Sequence, residues 1–218
     1  MENMGKKLKE FTDNIATCRG PLLSESALSL ADSLERAIEV TEKSYVKPMT
    51  PLFKILSDLF KNFSQDDEFK NTIEVVRWCN GHNLIQQGLT ILEEGILTFL
   101  CDRIGVDKCD VHGREEISKM INGITVQKLK NNNNLETSQT PEDDQAKSLV
   151  GEILQDSAIS KLAEEIYNIA NMRNDINHAG WRPTFNKYNS FKGFLDKAIT
   201  EIEVIYQGAQ EVGNSEET

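Results

Sequence analysis

Apolar residues recur along most of this chain at steps of three and four, the period of an amphipathic helix. Leu8, Phe11 and Ile15 open a first helix, with Arg19-Gly20-Pro21 as its stop. Ser24 reads as the N-cap of a second, whose stripe is Ala27, Leu30, Leu34 and Ile38. Thr50-Pro51 pairs a capping residue with proline at the first helical position, and places Leu52, Ile55, Leu59 and Phe63 on one side. The most apolar stretch, 68–104, divides into a helix to about Trp78 and a longer one over 82–103, ending near Gly105. Within it Gly81, Gly88 and Gly95 recur every seven residues. Such a line lets a neighbouring helix approach, inside the molecule or across a dimer.

A short helix is expected over 114–122, ending at Gly123. The polar run "KNNNNLETSQTPEDDQ" (130–145) has no period and reads as a mobile loop. Residues 146–178 and 188–207 are two further helical segments, and 208–218, ending in "GNSEET", is expected to be a disordered tail. Strand signals are scarce, and βαβ patterns, phosphate-cradling glycine loops, nucleophile elbows and repeats are missing. The expectation is an all-α bundle of about seven or eight helices in a single domain, 1–218, with one long polar loop.

Mean hydropathy is −0.44. No run of about 18 apolar residues could span a bilayer, and the charged start "MENMGKKLKEF" lacks the apolar core of a secretion signal. These features point to a cytoplasmic protein without membrane association. Four cysteines without a C-x2-C pair read as reduced, buried thiols. Cys79-x2-His82 and Cys109-x2-His112 carry zinc-capable ligand types, but finger and ribbon spacings are absent, so no metal or other cofactor is expected. A net charge of −11 argues against a dedicated nucleic-acid binder, though not against an enzyme with a local basic cleft.

The chemistry concentrates in "NMRNDINHAG", 171–180. Ile159, Leu162, Ile166 and Ile169 step by three, four and three, and the next steps fall on Arg173 and Ile176. An arginine on a core stripe is always charged and costly to bury unpaired. It either meets a carboxylate such as Glu93 or Glu94, or faces a cleft and awaits an anion. His178 follows in the last helical turn, just before the left-handed terminator Gly180. There the helix dipole favours an imidazolium that can exchange protons with a substrate. Five steps of 100° set His178 about 140° around the helix from Arg173, so the two do not stack on one face. Trp181, Arg182, Phe185, Lys187 and Tyr188 interleave aromatics with cations, a composition suited to single-stranded RNA or to packing the loop.

Arg173 to His178 matches R-x4-H, and "RNDINHAG" resembles the C-terminal segment of the CRISPR-associated CARF–HEPN ribonucleases of type III systems, the DxTHG-motif family. "LKEFTDNIATCRGPLL" (8–23) is similar to the stretch after that family's sensor domain, and "NLIQQGLTILEEGIL" (83–97) resembles its long HEPN helix. On this resemblance 1–65 are helices that follow a sensor, 66–123 the long core helices and 146–207 the motif-bearing ones. The N-terminal CARF domain of the family has no counterpart here, which leaves room for a separate sensor domain or subunit. The resemblance implies a homodimeric, metal-independent endoribonuclease acting on single-stranded RNA in antiviral defence. Arg173, His178 and Asn174 would be catalytic, and Asn177, Arg182 and Lys187 would bind substrate. Asp175 would be structural, since a carboxylate repels phosphate. A HEPN toxin with an antitoxin shares the motif. A helical dimeric adaptor that cuts nothing is the reading from a different class.

Overall fold

The computed structural model describes residues 2–132, 157–181 and 183–216. Eight α-helices lie among them: α1 Glu2–Ala16, α2 Gly20–Glu42, α3 Thr50–Asp58, α4 Glu68–Gly81, α5 Ile85–Ile104, α6 Val111–Asn132, α7 Ser157–Asn177 and α8 Tyr188–Glu216. A short 3-10 turn, Lys47–Met49, precedes α3. The fold is all-α, and no described helix is long and apolar enough to cross a membrane. Two compact units divide the chain, Met1–Ile91 and Leu92–Thr218.

In the first unit, α2 packs on α1, α3 and α4. Ala27, Leu30 and Leu34 of the α2 stripe are buried, as its period predicts, whereas Ile38 is only half-buried. Each such leucine contributes about 1.5–3 kcal/mol by leaving water. Phe11 of α1 meets Phe60 and Trp78 edge-on, with ring centroids 5.2 and 5.5 Å apart. Two starts differ from expectation. Pro21 lies in the first turn of α2 rather than ending α1, because its missing N–H and fixed φ suit that position. Thr50 makes no cap; its hydroxyl donates to the buried Thr41 Oγ1 at 3.0 Å. That rotation buries Phe53 and leaves Leu52, Ile55 and Leu59 exposed, the opposite of the face read from spacing.

α4 starts at a true cap, where the Asp67 side chain accepts from the Lys70 N–H at 2.9 Å. It ends at Gly81 and three residues separate it from α5, so Gly81 does not share a helix with Gly88 and Gly95. A Cβ on Gly81 would meet open space. The seven-residue recurrence is therefore not one packing line.

The second unit is formed by the rest of α5 with α6, α7 and α8. α7 lies between α6 and α8, and its predicted stripe Ile159, Leu162, Ile166 and Ile169 is buried throughout. Leu92, Ile96 and Leu100 of α5, Ile117 and Ile121 of α6, and Leu195, Ile199 and Ile202 of α8 complete that core. α6 runs past Gly123 to Asn132, since one helical glycine costs only about 1 kcal/mol. α8 likewise continues to Glu216, into the tail expected to be disordered. Residues 133–156, which include most of the expected loop and the start of the 146–178 segment, lie outside the described residues.

Candidate functional site

α7 leaves the core in its last turn, and that exit creates the site. Ile169 is fully buried, Arg173 is half-buried one turn later, and Asn177 at the helix end is exposed. The His178 N–H still donates to the Asn174 carbonyl at 3.0 Å, closing the final helical turn. Ala179 and Gly180 then adopt φ of +51° and +74°, which stops the helix. Glycine takes this conformation freely, whereas Ala179 carries a strain of about 1–2 kcal/mol.

Arg173 Nη1 lies 3.1 Å from Glu93 Oε2 of α5. Of the two candidate carboxylates, Glu93 is the inward one. Glu94, one step of 100° further round, reaches Arg114 Nη2 at 2.7 Å instead. The Glu93–Arg173 contact is close but imperfectly aligned. Glu93 Oε2 and Arg173 Nε are both buried without a hydrogen bond among the described residues. Burial pushes the Glu93 carboxyl up to about 7; Arg173 opposes the rise and Glu94 adds to it. A guanidinium has five N–H donors, so one carboxylate oxygen leaves most of its capacity unspent. Both residues line a partly open cavity of about 350 Å³ between α5, α6 and α7.

Asn174 is half-buried and tied to His178 through the backbone. The His178 imidazole is exposed and has no side-chain partner among the described residues, so it is not brought against Arg173. Asn177 and Lys187 are exposed, and the Lys187 carbonyl accepts from Ser190 N–H at the start of α8. Arg182 lies outside the described residues.

Asp175 is buried, and its Oδ2 accepts from the Asn186 backbone N–H at 2.8 Å and from Asn186 Nδ2 at 2.9 Å. These two bonds staple Asn186 to α7. Nothing in the local pattern singled out Asn186, because the two are joined through a loop rather than a helical period. Phe185 rests 3.8 Å from where a Gly180 Cβ would sit. Trp181 is 91% exposed and so does not pack the loop down. Asp175→Ala should cost about 2–3 kcal/mol, since hydrogen bonds to a charged group are the stronger kind. Faster amide hydrogen exchange at Asn186 is the expected sign, and unchanged exchange there would contradict the staple.

The histidines of the two C-x2-H pairs have other partners, and Cys109 is exposed. His82 Nδ1 lies 2.8 Å from the Trp78 carbonyl with its ring stacked on Trp78, and His112 Nε2 lies 3.3 Å from Glu116. Burial pushes the Cys79 thiol up to about 12. Among the described residues no three His, Cys, Asp or Glu side chains gather as a metal-holding group. No protein-family model, curated protein or solved structure matches the chain.

Proposed function

We propose that this chain is a HEPN-type endoribonuclease that cuts single-stranded RNA without a metal, in CRISPR-linked antiviral defence. The observation that carries the reading is the pairing of an arginine at a partly open cavity with an exposed histidine at the end of the same helix. RNA supplies its own nucleophile, the 2′-OH beside the scissile phosphate. His178 takes or delivers the proton in this step. The 2′-oxygen bonds to phosphorus, the P–O5′ bond breaks, and the leaving oxygen is protonated. The products are a 2′,3′-cyclic phosphate and a 5′-hydroxyl.

Arg173 stabilises the extra negative charge on the pentacovalent phosphorus, and it does so from a position held by Glu93. Asn174 orients this pair. Asn177, Arg182 and Lys187 hold the strand, and the exposed Trp181 and Tyr188 offer faces on which bases stack. Because Arg173 and His178 leave α7 in different directions, one scissile phosphate is better served by two copies of the chain around a twofold axis. Sedimentation at micromolar concentration should show a dimer, with specific activity falling on dilution. A monomer fully active per chain would defeat the shared site. Cleavage of labelled single-stranded RNA should persist in EDTA; its loss there would defeat the metal-free chemistry.

The exposed apolar side chains Leu52, Ile55 and Leu59 on and just beyond α3 favour a second reading, an adaptor that binds protein and cuts nothing. Under it, Arg173→Ala and His178→Ala would leave partner binding intact.

A further inference from the structure

We propose that Glu93 and Arg173 form a proton-coupled anion site, in which the guanidinium takes a phosphodiester as the carboxylate takes up a proton. The proposal rests on the reading of Arg173 as the phosphate-binding group and adds the means by which its charge is released.

The charges around the cavity carry the argument. Six charged side chains line it: Glu93 and Glu94 from α5, Arg114, Glu115 and Lys119 from α6, and Arg173 from α7. No charged side chain of α8 joins the lining. Glu94 is held by Arg114 at 2.7 Å, and Lys119 approaches Glu115 at 3.6 Å. That leaves Glu93 and Arg173, the pair with the most buried carboxylate of the three.

An arriving phosphodiester brings one negative charge to a guanidinium that already has one counter-ion. Two anions on one cation would leave an unpaired charge in a poorly hydrated place, which is costly. Protonation of Glu93 removes that charge. The geometry suits such an exchange, because the existing contact is loosely aligned and the Arg173 Nε hydrogen has no acceptor among the described residues. Burial has already brought Glu93 to where it titrates at about 7, so the proton costs little near neutrality. A bound anion raises that carboxyl further. By linkage, anion and proton then assist each other's binding equally.

Isothermal titration of a short deoxyoligonucleotide, whose phosphodiesters lack the attacking 2′-OH, reads this directly. The background is His178→Ala, so that no imidazole of the motif contributes. Titrations in buffers of different ionisation heat should show close to one proton taken up per site at about pH 8 and nearly none at about pH 6. Affinity should fall roughly tenfold per pH unit above about 7. Adding Glu93→Gln should abolish both the uptake and the pH dependence, with affinity near that of the parent at low pH. Adding Arg173→Ala should remove binding.

No binding, binding without proton uptake in the His178→Ala parent, or uptake that persists in Glu93→Gln would each overturn the proposal. The parent measurement involves no change at Glu93, so it stands even if Glu93→Gln folds poorly. Proton-coupled binding by a protein that cleaves no RNA would sink the nuclease reading and leave this one standing. RNA cleavage without proton uptake would do the reverse.

Discussion

Replacing His178 by alanine is expected to slow cleavage of single-stranded RNA by about 10²–10⁴-fold, the usual contribution of a positioned acid or base. The side chain is exposed and lies beyond the last helical residue, so the fold should not notice its loss. Arg173→Ala should cost about 10²–10³-fold in kcat, as for the loss of one preorganised donor to an oxyanion. The two variants differ in what else they disturb. His178→Ala should unfold at the wild-type temperature, whereas Arg173→Ala uncovers a buried carboxylate. A His178→Ala protein that is fully active, or one that is inactive because it is unfolded, would contradict this assignment.

The second large effect is on stability, and its sign follows from Glu93. Its carboxyl is raised from the ordinary 4.5 to about 7 in the folded chain, chiefly by burial. The protonated form therefore favours folding. That stabilisation is fully present below about pH 4.5 and is lost as pH rises through about 7, a change on the order of 3 kcal/mol. Half-buried Glu165 shifts in the same direction, so the comparison to make is between wild type and Glu93→Gln across pH. The variant should lack the Glu93 part of the slope. Arg173→Ala removes the one charge that holds Glu93 down. Its cost should be small near pH 6, where the carboxyl protonates, and should approach the roughly 3–5 kcal/mol of a broken buried pair near pH 8. Thermal unfolding at a series of pH values checks both variants. Parallel stability curves for wild type and Glu93→Gln would show that this carboxylate does not titrate near neutrality.

Much of the second unit was legible because burial on α7 follows a strict helical period. The steps from Ile159 to Ile169 placed the core face, and the same steps identified Arg173 as the residue where that face meets something else. What it meets was not legible. Glu93 and Glu94 are adjacent acids on another helix, and only the rotation of α5 decides which turns inward. Asn186 escaped for a related reason, since a loop has no period to place it against Asp175. The α3 face was misread because Leu52 and Phe53 are a single step apart, and the hydroxyl bond from Thr50 to Thr41 selects Phe53 for the interior. Local signals also overstate single glycines: Gly123 carries a helical cost too small to end α6. The proposed HEPN reading draws on side-chain identities in three segments, 8–23, 83–97 and 173–180, and not on helical packing.

Attack by the 2′-OH can be read on a single-stranded RNA of defined sequence carrying one 2′-deoxy nucleotide just upstream of a mapped cut. In EDTA, the all-ribose strand should be cut there to leave a 2′,3′-cyclic phosphate and a 5′-hydroxyl, while the deoxy linkage stays whole and its neighbours are still cleaved. Cleavage at the deoxy linkage, or a 5′-phosphate on the downstream fragment, would contradict a mechanism in which RNA attacks itself under His178 and Arg173.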